Sequence, residues 1–503
     1  MTKTKKIALI LTVALVITAL LAGCQSYKWG PVGTTDGNAD VINNGSLAVQ
    51  QGKYLYYING MDATSNISKP EDNYFGKASV KGSIMKSEIA EDGSLKNTAV
   101  VVPKMFYTGY TSGGIYIFGD WIYYVTPTTK TDNSGVVQVD YLEYYRTKTD
   151  GTETQQITMV EGSSVEYVFT DDALLYYTSS TLYKVGYTAD KVDKDATVIA
   201  ENVTDVLFNH ASTYKKGQSS IEDYVYYTQS YDSDSLLNGN KVYATNGGEP
   251  VLLVDSKTYG ANGADASKDK QFTFTLVKAA NESDGVVVYY SKTSTVNGAS
   301  ETAGTFAVKF SGEKPAFDTT KEVKVARDAL TSITHIGLDN GVLVASAAAS
   351  YVYIMTEDDI QVKKPLTFSA TPTVLKADVT EEGITLYYVI SNKLMKKVIT
   401  DVNALSTENQ PVEINMSGAE INATWLAPAF VNGCVYYIDN TYSYTFFMNL
   451  DDFKFEPNDV KLLEGKIASG YEKSDKTEDG TIPKFMTDTD KETYITNNPK
   501  EEE

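Results

Sequence analysis

Histidine and cysteine are almost missing from this chain: its 503 residues contain 2 of each, beside 3 Trp. Two Cys cannot build a disulfide framework, and so few His and Cys leave little for zinc, haem or a nucleophile–base pair. Basic residues are also short. Lys and Arg number 44 against 65 Asp and Glu, a formal charge of −21. Such a surface repels phosphate backbones, so no nucleic-acid partner is expected. No long 3.6-period segment follows residue 24, which excludes a helical fold. There is no phosphate-cradling glycine loop, no dinucleotide fingerprint and no Gly-x-Ser-x-Gly elbow, and no cofactor or metal is expected. What is present is apolar and tyrosine-rich: 42% hydrophobic residues, with 37 Tyr against 17 Phe. That composition supports a packed core built from β-structure.

The N-terminus has three parts. Lys3, Lys5 and Lys6 form a positive head, Ile7 to Ala22 is an uncharged apolar stretch of 16 residues, and Leu21-Ala22-Gly23-Cys24 closes it with small residues. This is the form of an export signal, and the stretch is shorter than the ~20 residues that span a bilayer. The ending Leu21-Ala22-Gly23-Cys24 resembles the lipobox of bacterial lipoproteins. That resemblance implies signal peptidase II cleavage between Gly23 and Cys24 and a diacylglyceryl thioether on Cys24. Two acyl chains give stable attachment, so the expected location is the extracytoplasmic face of the cell membrane. The alternative is an uncleaved anchor. Residues 1–23 then form the signal, and 24–45, rich in Gly, Thr, Asn and Asp, read as a flexible tether. Tyr27 and Trp29 either rest at the membrane interface or pack on the domain.

From residue 46 to 465 a repeat governs the pattern. Gly52-Lys53-Tyr54-Leu55-Tyr56-Tyr57 is echoed by segments ending at Tyr124, Tyr177, Tyr227, Tyr290, Tyr388 and Tyr437. A degenerate copy, Gly341-Val342-Leu343-Val344-Ala345-Ser346, fills the one large gap. The mean spacing is about 54 residues, in the range of propeller repeats. A second β-like run follows each copy, from Ser83–Ile89 and Tyr141–Lys148 to Lys393–Ile399 and Tyr444–Leu450. Asp92-Gly93, Asp150-Gly151 and Asn246-Gly247 mark hairpin turns with φ > 0 at both corner positions. In Tyr54-Leu55-Tyr56-Tyr57-Ile58 both strand faces are apolar, because Leu55 and Tyr57 alternate with Tyr56 and Ile58. Such a unit escapes water only between two neighbours. The expected architecture is all-β: a seven- or eight-bladed β-propeller of antiparallel meander blades, with N- and C-terminal strands able to combine in one blade. A β-solenoid or a pair of sandwiches is the alternative.

The copies Tyr176-Tyr177-Thr178-Ser179 and Tyr226-Tyr227-Thr228-Gln229 resemble the Tyr-Trp-Thr-Asp propeller repeat of low-density-lipoprotein-receptor-like proteins. They are similar as well to TolB-like blades of bacterial surface lipoproteins. The resemblance implies the propeller and no particular partner, since Tyr replaces the Trp and the Asp is absent. From Lys466 to Glu503 the sequence is polar and charged and reads as a solvated, acidic tail; the alternative is a short docking segment of Phe485, Met486, Tyr494 and Ile495.

Candidate chemistry is sparse. His210 and His335 have no nucleophile elbow beside them and read as surface or blade-filling residues, and Cys434 reads as a buried thiol in a Tyr-rich strand. Asp171-Asp172, Asp358-Asp359 and Asp451-Asp452 read as turn acids, with paired carboxylates of a hydrolase as the alternative. Asp232-Ser233-Asp234 begins like a calcium loop, but Leu236 stands where an oxygen ligand belongs. Tyr107, Tyr110, Tyr442 and Tyr444 are the candidate binding aromatics, with burial in a blade as the alternative. No catalytic residue is assigned. The expected function is a membrane-anchored binding or scaffold lipoprotein that recognises a protein, peptide or cell-wall glycan through one propeller face. The alternative is a carbohydrate-active or peptidase-like hydrolase using paired carboxylates.

Overall fold

The computed structural model describes residues 33–467 except 62–81, 92–94, 103–112, 128–140, 163–164, 219, 232–238, 257–271, 297–298, 338–340, 347–349, 355–361, 417–419, 425, 441–443 and 451–465, together with 471–473 and 481–483. Eight four-stranded antiparallel meanders follow one another along the chain. Blade 1 runs over 48–102, blade 2 over 116–161, blade 3 over 166–200 and blade 4 over 203–255. Blade 5 covers 272–326, blade 6 334–366, blade 7 373–415 and blade 8 429–467. The chain is an eight-bladed β-propeller. Lys466–Ile467 is the fourth strand of blade 8, paired with Phe446 and Phe447, so the repeat reaches past residue 465. A separate hairpin, Tyr471–Lys473 with Thr481–Pro483, lies in the region expected to be a solvated tail.

The tyrosine strands do what their two apolar faces require. In blade 5, Val286, Val288 and Tyr290 enter a core shared with blade 4, while Val287 and Tyr289 enter one shared with blade 6. The buried clusters chain around the ring in this way: 8–1–2, 2–3–4, 4–5, 5–6, 6–7 and 7–8. Each such Tyr, burying ~150 Å2, contributes on the order of 3–4 kcal/mol before entropy costs. The ring closes by packing, with no shared strand. Tyr57 of blade 1 stacks on Tyr436 of blade 8 at 6.4 Å. Buried Thr445 of blade 8 accepts from Gly60 N–H at 2.9 Å and donates to the Ile58 carbonyl.

Turn chemistry differs from expectation in an instructive way. Gly151 (φ 77°) and Gly247 (φ 93°) are left-handed, but Asp150 and Asn246 are not, so these corners are not the tight two-residue type. A wider loop results, with Gly151 N–H donating to Lys148 O and Lys148 N–H donating to Glu153 O. Among the described residues the two-residue turns with both φ positive are Ser179-Ser180 and Ser391-Asn392, which join strands two and three of blades 3 and 7, and Asn432-Gly433, which joins strands one and two of blade 8. Asp92-Gly93 lies outside the described residues.

The N-terminal segment is a second departure. Residues 33–45 were expected to be tether, yet they dock on the propeller. Val41–Ile42 pairs with Gln50 and Gln51 of blade 1's first strand, and Thr213–Tyr214, from the first turn of blade 4, pairs with Val41–Ile42 in turn. The Asn44 amide satisfies both backbone groups of Ile117 in blade 2, accepting at 2.7 Å and donating at 3.4 Å. First strands of adjacent blades approach one another around the axis, so these added strands occupy the channel beside blades 1, 2 and 4.

Candidate functional site

Meander connectivity defines two faces. Turns between strands one and two, and three and four, lie on one; turns between two and three, with the blade-to-blade links, lie on the other. The N-terminal segment holds the first face. Buried Lys86 donates to Thr34 O at 2.9 Å and to Thr149 O at 3.0 Å, with its ammonium 4.2 Å from the Tyr54 ring. Burial lowers its pKa to about 8. The same device recurs at Arg146, which donates to Thr188 O at 2.7 Å, and at Lys184, which donates to Gly247 O at 2.9 Å. Each third-strand cation thus reaches the strand 3–4 turn of the next blade, from blade 1 through blade 4. Arg146 is 0% exposed and lies 4.2 Å from the Trp121 ring. These residues were not singled out from sequence.

Below blades 3 and 4 the same face gathers acids. Burial first, then Asp223, pushes the Glu222 carboxyl up to about 7. Burial pushes Asp223 up to about 6, against hydrogen bonds from Ala211 and Ser220 N–H. Asp171 is raised by burial and by Asp172, and Asp172 accepts from Thr170 Oγ1 at 2.9 Å within the strand 1–2 turn. The turn reading of this pair agrees with its position. Among the described residues no group of three or more His, Cys, Asp or Glu side chains is placed to hold a metal ion. Asp232-Ser233-Asp234, Asp358-Asp359 and Asp451-Asp452 lie outside the described residues.

The remaining side of the channel is open. A cavity of about 560 Å3 is lined by Lys278 of blade 5, by residues 332–335, Leu343 and Ala345 of blade 6 or the link before it, and by residues 372–377 of blade 7. Where other blades carry Tyr-Tyr, blade 6 carries Ala345-Ser346, and Ala345, in the place of the first ring, borders the cavity. Lys278 and Lys376 occupy matching positions: each follows a bulge in its blade's first strand and pairs across from Tyr289 and Tyr387, respectively. The corresponding residues in blades 1, 2, 3, 4 and 8 are Val49, Tyr116, Tyr167, Leu207 and Ala429. Both lysines are exposed. Lys376 is held by Asp378 at 2.9 Å.

Both histidines border this channel. His335, in the cavity wall, meets Tyr289 Oη at 2.7 Å through Nδ1 and Glu282 at 3.3 Å through Nε2. His210 packs edge-on against Tyr116, with Nε2 3.0 Å from Asn44 O. Burial chiefly, with Lys278 adding to it, lowers the pKa of both. No family model and no curated protein matches the sequence. The chain is similar to the structure of apo AztD from Citrobacter koseri, with 10% identity, TM-score 0.37, and coverage of 82% of this chain and 99% of that one. A structure from work on two prolyl endopeptidases matches with 11% identity, TM-score 0.36, and coverage of 89% and 54%. Kluyveromyces lactis Hsv2p matches with 10% identity, TM-score 0.33, and coverage of 75% and 96%.

Of the remaining candidates, Cys434 is buried as expected. Tyr444 is 1% exposed and packs in the core between blades 7 and 8, so its ring faces no ligand; the blade-core alternative describes it. Tyr107, Tyr110 and Tyr442 lie outside the described residues, as do Leu21, Ala22, Gly23 and Cys24 and the tail segment Phe485 to Ile495.

Proposed function

We propose that the chain is an extracytoplasmic binding lipoprotein, anchored through Cys24, that takes its ligand into the channel cavity between blades 5, 6 and 7. The observation that carries this reading is the cavity's lining. Among the described residues it holds hydroxyls (Ser332, Thr334, Thr373), aliphatics, two lysines and one histidine, with no acidic side chain. A paired-carboxylate hydrolase needs two acids flanking a cleft. The size fits small-ligand sites, which run to ~300–1,000 Å3. The ligand is then a small molecule or the end group of a peptide or cell-wall glycan.

The anchor and the cavity support each other geometrically. Nine links of chain from Cys24 to Gly33 span at most about 30 Å. Gly33 to Asp40 dock on the face of the strand 1–2 turns, where Asp36 adjoins Gly52 and Gly37 adjoins Asp120. On this reading the lipid attaches within that reach of the face of the strand 1–2 turns. Residues 332–335 and 372–377 stand at the opposite ends of their strands, so the cavity faces away from it. Two measurements test the proposal. Cys24→Ala should lose the lipid and leave the membrane fraction. The lipid-free domain should retain cell-wall fragments or peptides from the envelope without cleaving them; hydrolysis of those polymers would overturn it.

A further inference from the structure

We infer that the cavity selects a small organic anion, holding a carboxylate or phosphate group at Lys278 beside the hydroxyls of Ser332, Thr334 and Thr373. This inference rests on the binding function above and adds its ligand class. Three observations carry it. Across the five complete Tyr-Tyr blades other than 5 and 7, the position facing the first Tyr is apolar or aromatic. Only the two blades that flank the degenerate copy put lysine there, each behind a bulge that re-aims it. Continuing the Thr334–Leu343 pairing places Ser332 level with Ala345, which stands where the other blades carry the first Tyr, and both border the cavity.

Charge distinguishes the two lysines. Lys376 already has Asp378 at 2.9 Å. Lys278 has no hydrogen bond or ion pair among the described residues, and its field reaches both histidines of the chain. The ring nitrogens of His335 are occupied by Tyr289 and Glu282, so His335 forms wall and the ammonium of Lys278 is the available donor. An ammonium makes charge-assisted bonds to carboxylate or phosphate that are stronger than neutral ones. The chain's charge of −21 argues for a small anion over a polymeric one, because a polyanion would lie along the acidic surface while a small ion is neutralised inside.

Isothermal titration of the purified chain with galacturonate, glucose 6-phosphate and glucose tests this. At least one anionic sugar should bind about tenfold or more tighter than glucose, and the one that binds separates carboxylate from phosphate. Lys278→Gln should weaken that binding about tenfold at an unchanged melting temperature, Lys376→Gln by about twofold. Ala345→Tyr should abolish it by filling the cavity, with near-UV circular dichroism confirming the fold. Equal affinity for glucose, or anion binding untouched by Lys278→Gln, would overturn the inference. Glucose binding that Ala345→Tyr blocks would do so while leaving the binding function intact. No heat from any of the three up to about 10 mM would also overturn it, and envelope capture then judges the broader function separately.

Discussion

The two halves of the ring are built on one repeat yet finished differently. In blades 1 to 4, long cations stitch each blade to the next, and two added strands fill the channel beside them. In blade 5 the third-strand lysine Lys309 pairs with Glu282 and Asp284 of its own blade, and between blades 5, 6 and 7 the channel keeps a cavity. Both halves join blades through polar side chains, Lys364 donating to Asn403 O and buried Lys397 to Thr367 O across blades 6 and 7, but only the first half has its channel filled. A rigid half supporting an open half is the arrangement a binding site needs, because ligand groups must meet side chains that are already positioned.

Removing the stitching should separate the halves most. Arg146→Ala empties a fully buried site and strands Thr188 O and Gln155, so a loss of about 3–4 kcal/mol is expected in denaturant unfolding. Thr445→Val keeps the shape at the closure of blades 8 and 1 but leaves Gly60 N–H and Ile58 O unmet, and about 2 kcal/mol should be lost. Glu222→Gln has the opposite sign. The folded carboxyl titrates near 7 against an ordinary 4.5, so its contribution to stability is present below 4.5 and lost as pH rises through 7. The variant should therefore match the wild type at pH 4.5 and be more stable above pH 7, by about 1 kcal/mol after allowance for its partial exposure. Thermal melts at the two pH values check this, with Asp223, Asp171 and Asp172 unchanged. Lys376→Met, on the open side, should change stability by less than about 0.5 kcal/mol.

Much of the propeller was legible because its cause is local. A strand with two apolar faces and a turn before it can be read from six residues, and strands such as Tyr141–Lys148, Lys393–Ile399 and Thr197–Ala200 fall where the pattern places them. The degenerate copy at 341–346 was visible too, but only as a weak repeat; that it borders a cavity requires knowing that Lys278 and Pro372 face the same gap. The docked N-terminus was illegible for a similar reason. Asn44 looks like a tether residue, and its partner Ile117 is 73 positions away. Lys86 and Arg146 were not singled out because their acceptors are carbonyls, which every residue carries.

Alternation of tyrosine and aliphatic residues by itself determined that this chain forms layered β-structure, since period-two burial on both faces needs a neighbour on each side. Blade number, the closing contact at Thr445, the filled and open sides of the channel and the exposure of Lys278 were decided only when the ring closed. Those features depend on which distant backbones and side chains arrive at the same place, and a linear pattern carries no term for that meeting.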